Sequence, residues 1–88
     1  MFEFDTKKSL SNKEKHGIDF ETAIQLWKDP QRVEIKAKWL DEPRYLLIAV
    51  IKNQHWSAIF TSRRKRIRLI SVRRSRKNEK EIDNSFRI

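Results

Sequence analysis

Eighty-eight residues allow one modest hydrophobic core, and 38% hydrophobic content with three Trp, five Phe and one Tyr is enough to build it, so a wholly disordered chain is excluded. The absence of cysteine excludes a disulfide framework and a thiolate zinc site. A formal charge of +9 and a pI near 10.3 call for a polyanionic partner: nucleic acid first, then an anionic membrane surface or an acidic protein.

Phe2 and Phe4 fall on one face of a short strand over Met1 to Phe4, and Asp5 follows as a helix N-cap. Thr6 to His16 reads as a helix by propensity more than by pattern, since Leu10 is its only strong apolar residue; Gly17, the sole glycine, is placed to end it in the left-handed conformation. Asp19 caps a second helix in which Phe20, Ala23, Ile24 and Trp27 form one apolar stripe, read as core, and Asp29-Pro30 stops it. The period then changes to two. Val33, Ile35, Ala37 and Trp39 alternate with charged residues in a half-buried strand, and Asp41-Glu42-Pro43 turns the chain. Arg44 to Lys52 holds a near-continuous apolar run, as in a central strand covered on both faces. Asn53-Gln54 connects it to a strand over His55 to Ser62 with Trp56, Ala58 and Phe60 on one face. Arg66 to Val72 is a further strand, and Ser75 caps a final helix through about Asn84, with Ser85 to Ile88 frayed. Strict alternation in the last strand sets Arg66 and Arg68 with Ile70 and Val72, and sets Ile67, Leu69, Ser71 and Arg73 on the other face. Helices first and neighbouring strands afterwards predict an α+β single domain over residues 1–88, with two N-terminal helices on a four- to five-stranded, mainly antiparallel sheet and a C-terminal helix.

The charge is local. Arg63 to Lys80 carries ten cations and one anion, a net charge equal to that of the whole protein. Charges can simply blunt a sheet edge. Ten in eighteen residues exceed that need, and guanidinium groups held on a rigid strand suit a track of phosphates. His16 and His55 stand outside any metal-ligand spacing and one glycine cannot form a phosphate loop, so neither metal nor cofactor is expected. What remains is metal-free RNA cleavage by the substrate's own 2′-OH, which needs a base, an acid and cations on the phosphorane. Lys15, His16 and Glu21, with Arg68 and Arg73, supply those groups; Lys8, Arg63, Arg64, Lys65, Arg66, Arg74, Arg76 and Lys77 are the RNA-binding candidates. His16 also fits as a helix C-terminal side chain favoured by the dipole, and Glu21 as a first-turn carboxylate.

Phe2-Glu3-Phe4-Asp5, Lys8, Asn12, Lys15-His16-Gly17-Ile18, Phe20-Glu21 and Asp29-Pro30, with Arg66 to Arg74 and Glu79 at the other end, resemble the BrnT toxin family of bacterial type II toxin-antitoxin systems. The resemblance implies a RelE-like fold, ribonuclease activity that inhibits translation, and neutralisation by a BrnA-type ribbon-helix-helix antitoxin, which alone would contact operator DNA. It also implies structural roles for Asn12 and Gly17. Phe4 stands for the family's usual Trp, Arg64-Lys65 for a Gly-containing turn, Ser75 for Ala and Asp83 for Tyr. The other reading is a non-catalytic module that binds nucleic acid, or docks the antitoxin, in operon autorepression. A cytoplasmic location is expected, since the start lacks a basic segment followed by an apolar one and no apolar run reaches the roughly 18 residues of a span.

Overall fold

The first helix is held by hydrogen bonds where most helices are held by apolar contact. The computed structural model describes residues 1–37 and 42–87. Strand β1 (Phe2–Glu3) leads into α1 (Thr6–His16); α2 (Phe20–Ala23) runs on into a 3-10 turn over Ile24–Lys28. Four longer strands follow, β2 (Val33–Ala37), β3 (Arg44–Ile51), β4 (Gln54–Arg63) and β5 (Arg66–Arg74), then α3 (Lys77–Phe86). Asp5 Oδ1 accepts from the N–H groups of Lys7 and Lys8 at 2.8 and 3.3 Å, and Gly17 ends α1 at φ +81° with its N–H on the Lys13 carbonyl, as their residue types demand. The inward residues of α1 are Ser9 and Asn12, both buried, while Leu10 is 61% exposed. Ser9 Oγ accepts from the Phe20 N–H at 2.9 Å. The Asn12 amide takes the place of a strand: its Oδ1 accepts from Val72 N–H at 3.1 Å and its Nδ2 donates to the Val72 and Ile18 carbonyls at 2.8 Å each.

The sheet order is β1-β5-β4-β3-β2. β2 to β5 form the expected antiparallel meander, but β1 lies parallel to β5, with Phe2 opposite Ile67 and Glu3 opposite Arg68. The sheet is therefore mixed, which corrects the mainly antiparallel expectation. No hairpin joins β1 to β5, so nothing forces them antiparallel, and the parallel direction lets the chain continue into α1 along β5. One face of the sheet packs on α1 and α2 through Leu47, Ala49, Trp56, Ala58, Phe60, Leu69 and Val72, with Ile18, Phe20, Ala23 and Leu26 opposite. Phe2 meets Trp27 and Phe4 meets Phe20 edge-to-face, at 5.1 and 5.7 Å between ring centres. The stripe of the second helix is as expected, with one addition. Leu26 is fully buried because the turn tightens to three residues, which stacks it on Ala23. Trp39 and Asp41 lie outside the described residues.

Both tight hairpins take non-glycine residues into the left-handed region: Lys52 and Asn53 at φ +49° and +65°, Arg64 and Lys65 at +46° and +68°. The first of these sits one residue earlier than the Asn53-Gln54 connection read from sequence. Strict alternation also fails in β5. Phe60 pairs with Leu69 and Ile59 with Ser71, which leaves Ile70 as an extra residue and brings Leu69 and Val72 onto the same core face. α3 covers part of the opposite face. Arg76, not Ser75, takes its N-cap position, because Ser75 is buried with its hydroxyl on Ser57 at 2.8 Å. The helix continues past Asn84 to Phe86.

Candidate nucleic-acid interface

The extra residue in β5 decides where each arginine points. Arg68 pairs with Thr61 and Arg73 with Ser57, and both partners alternate with the core residues Phe60, Ala58 and Trp56. Arg68 and Arg73 thus share the face away from α1 and α2. Strict alternation had set them on opposite faces.

Near Arg68 the cations gather at one end of that face. Arg63 binds Glu42 at 2.6 Å and Arg66 lies 3.8 Å from Glu3. The Glu42 carboxyl is held below its usual range by the hydrogen bond from Arg63, and the charges of Arg63, Arg44 and Arg68 act the same way. Glu3, Arg63, Arg64 and Arg66 line an open cleft of about 610 Å³ where β1 meets the β4–β5 hairpin. Lys65 is exposed at the tip of that hairpin.

Arg73 has a different environment. Its guanidinium grips Glu79 of α3 with both nitrogens, at 2.7 and 2.8 Å. Glu79, 6% exposed, also accepts from Ser57 Oγ and from the Arg76 N–H, at 2.9 and 2.8 Å. The Arg73 hydrogen bonds lower its carboxyl to about 2 despite burial. A neighbouring cluster closes the far end of α3. Buried Asp83 accepts from Arg87 Nε at 2.5 Å and sits 2.9 Å from His55 Nε2, while Arg87 reaches on to Asp29 at 2.5 Å. Burial pushes Asp29 up, but bonds from Arg87 and from the N–H groups of Gln31 and Val50 outweigh it and leave the carboxyl at about 2. Sequence reasoning missed both clusters, since each joins a local pair on α3 or beside it to partners 22 to 58 residues away, Ser57, His55 and Asp29, that share no local pattern with it.

On the helix side, Arg74 is the arginine that reaches the α1–α2 corner. Asn12 pins α1 to Val72. From there, four residues along α1 lead to His16, about 6 Å on, and two along β5 lead to Arg74, about 7 Å on. Both elements advance in the same direction, since Asn12 meets Val72 and, further along each, Gly17 and Arg74 line one cavity. A cavity of about 290 Å³ lies between them, lined by Gly17, Ile18 and Thr22 from the helices, by Ile51, Lys52 and Gln54 from the β3–β4 hairpin, and by Trp56 and Arg74. The Arg74 guanidinium carbon stands 5.7 Å from the Trp56 ring centre.

Lys15, His16 and Glu21 are exposed on the helices that flank this cavity. Arg68 and Arg73 do not join them, because the sheet stands between. Lys8 is exposed near the start of α1, and Arg76 and Lys77 are exposed at the start of α3.

Cations fixed at strand spacing on both sides of one sheet define a small α+β protein built to meet a polyanion. The chain belongs to the family of ribonuclease toxins, BrnT, of type II toxin-antitoxin systems, whose family model matches residues 4–79. Membership carries an RNA target and an antitoxin partner. No curated protein matches the chain in a sequence comparison. Among the described residues, no helix is long and apolar enough to cross a membrane.

Proposed function

We propose that this protein is a metal-independent endoribonuclease of RelE-like fold, a single domain that works in the cytoplasm, where it halts translation by cutting RNA. A BrnA-type ribbon-helix-helix antitoxin neutralises it and is its only route to operator DNA. The observation that carries the catalytic reading is the cavity at the end of α1, lined by Gly17, Lys52 and Arg74, with the exposed Lys15 and His16 directly before Gly17 in the chain.

In this reading the substrate's 2′-oxygen attacks the adjacent phosphorus and the P–O5′ bond breaks. His16 takes the 2′-OH proton, and a proton reaches the departing 5′-oxygen, so the products are a 2′,3′-cyclic phosphate and a 5′-hydroxyl. Lys15 and Arg74 oppose the charge that builds on the phosphorane, and Glu21 at the start of α2 is the second proton-transfer candidate. Arg68 serves with Arg63, Arg64, Lys65 and Arg66 as a phosphate track on the other face, Arg76 and Lys77 add charge at the start of α3, and Lys8 adds it on the helix side. Arg73 acts through Glu79 and is a positioning residue.

Antitoxin-free protein incubated with bulk RNA in EDTA tests this directly. Degradation that His16→Ala and Arg74→Ala reduce by about 100-fold or more is expected. Intact RNA, bound with a steep salt dependence, would establish the non-catalytic binding module instead.

A further inference from the structure

We infer that the cavity beside Gly17 is a subsite for a single unstacked nucleobase of the RNA, and that it sets base preference next to the cut; the inference rests on the catalytic reading of the same corner. Its volume, about 290 Å³, lies at the lower limit of ligand pockets, which span roughly 300–1,000 Å³, and suits one small planar group better than a peptide. Its chemistry suits a base. Trp56, 8% exposed, forms an aromatic floor and the Arg74 guanidinium lies over it, a cationic plane of the kind on which bases stack.

Two amides supply the edge contacts. Gln25 and Gln54 line the cavity, one from the 3-10 turn and the other from the start of β4, and neither side chain makes a hydrogen bond with another described residue. Each offers a donor pair and an acceptor, the complement of a base edge. The charge is placed for the attached phosphate. Arg66, Arg73 and Arg63 each have a carboxylate within 4 Å, whereas Arg74 has none among the described residues, and Lys52 extends the same rim. Ile18 and Ile51 close the sides with apolar surface. An isolated anion would have no use for the aromatic floor or the apolar walls.

The experiment titrates the four ribonucleoside 3′-monophosphates into ¹⁵N-labelled, antitoxin-free protein and maps RNA cleavage sites for wild type, Gln25→Ala and Gln54→Ala. The expected result is movement of the Trp56 indole N–H and of the Gln25 and Gln54 side-chain amides, with at least one nucleotide preferred. Each glutamine variant should change base preference at the cut by about 3- to 10-fold, the effect of one net hydrogen bond. Nucleotide shifts confined to the face that carries Arg63, Arg66 and Arg68, with unchanged base preference in both variants, would overturn the subsite while leaving cleavage at the corner intact. Nucleotides that occupy the cavity of a protein that cuts no RNA would refute the catalytic reading and leave the base site standing.

Discussion

Arg73 and Arg74 are adjacent in the chain, yet one belongs to the scaffold and the other to the candidate site. Arg73 is 23% exposed at its side chain and is the two-point partner of a carboxylate with only 6% of its surface exposed. Arg73→Ala would leave Glu79 buried without its cation, and a loss of about 2–4 kcal/mol in unfolding free energy is expected from denaturant titration. Arg74→Ala removes an exposed side chain that lies over the Trp56 ring, so its melting temperature should stay within a few degrees of wild type while RNA cleavage falls. Equal destabilisation by the two changes would contradict this division. Asn12→Ala should cost roughly 2–4 kcal/mol, because the buried N–H and carbonyl of Val72 and the Ile18 carbonyl all lose their partner. Equilibrium unfolding of that variant measures it.

At the scale of elements, what sequence disclosed was whatever local chemistry controls. Asp5 and Gly17 bracket α1 because a carboxylate cap and a left-handed glycine act within a few residues, and the two-residue period of β2 shows because its faces differ in burial. The inward side of α1 was hidden, since Ser9 and Asn12 read as surface residues until their partners Phe20, Ile18 and Val72 are known. Ser75 looked like a cap for the same reason: its hydroxyl is used by Ser57, across the sheet, instead of by the helix. The site suffered most. Lys15, His16 and Glu21 are exposed on the two helices, but the strand arginine that lines the cavity between these helices and the sheet is Arg74, and no glycine or proline marked the irregularity in β5 that makes it so. The β4–β5 hairpin invites a test of its own. Arg64 and Lys65 hold two consecutive left-handed conformations, which favour Asn-Gly. Lys65→Gly should therefore raise stability by about 1 kcal/mol in thermal melts, the steric cost that a side chain brings to that backbone.

For the whole molecule, α3 is fastened by ions, which makes the fold sensitive to acid. Glu79 and Asp29 both have carboxyls lowered to about 2, so each contributes stability that is complete above the unfolded range near 4 and is lost as pH falls towards 2. Melting temperatures should be flat from pH 7 to about 5 and then drop steeply, and Glu79→Gln should shrink the drop. A second whole-molecule expectation concerns charge. RNA affinity should fall linearly with the logarithm of salt concentration, and neutralising Arg63, Arg64 and Arg66 together should lower that slope by up to about two, at roughly 0.7 per phosphate contact on a single strand. An unchanged slope would place the RNA elsewhere.

The extra residue in β5 also governs what changes of length the strand tolerates. Thr61 and Ser57, the partners of Arg68 and Arg73, are four places apart, although the arginines themselves are five apart in the chain. Ile70 is the uncounted place. A chain shortened by Ile70 alone keeps every later side chain on its present side, with Arg73 still at Glu79 and Arg74 still over Trp56. Removing Ser71 instead is neutral only if Ile70 drops into the vacated pairing position; otherwise every residue from Val72 onward turns over, and the acidic clasp and the cavity exchange their arginines.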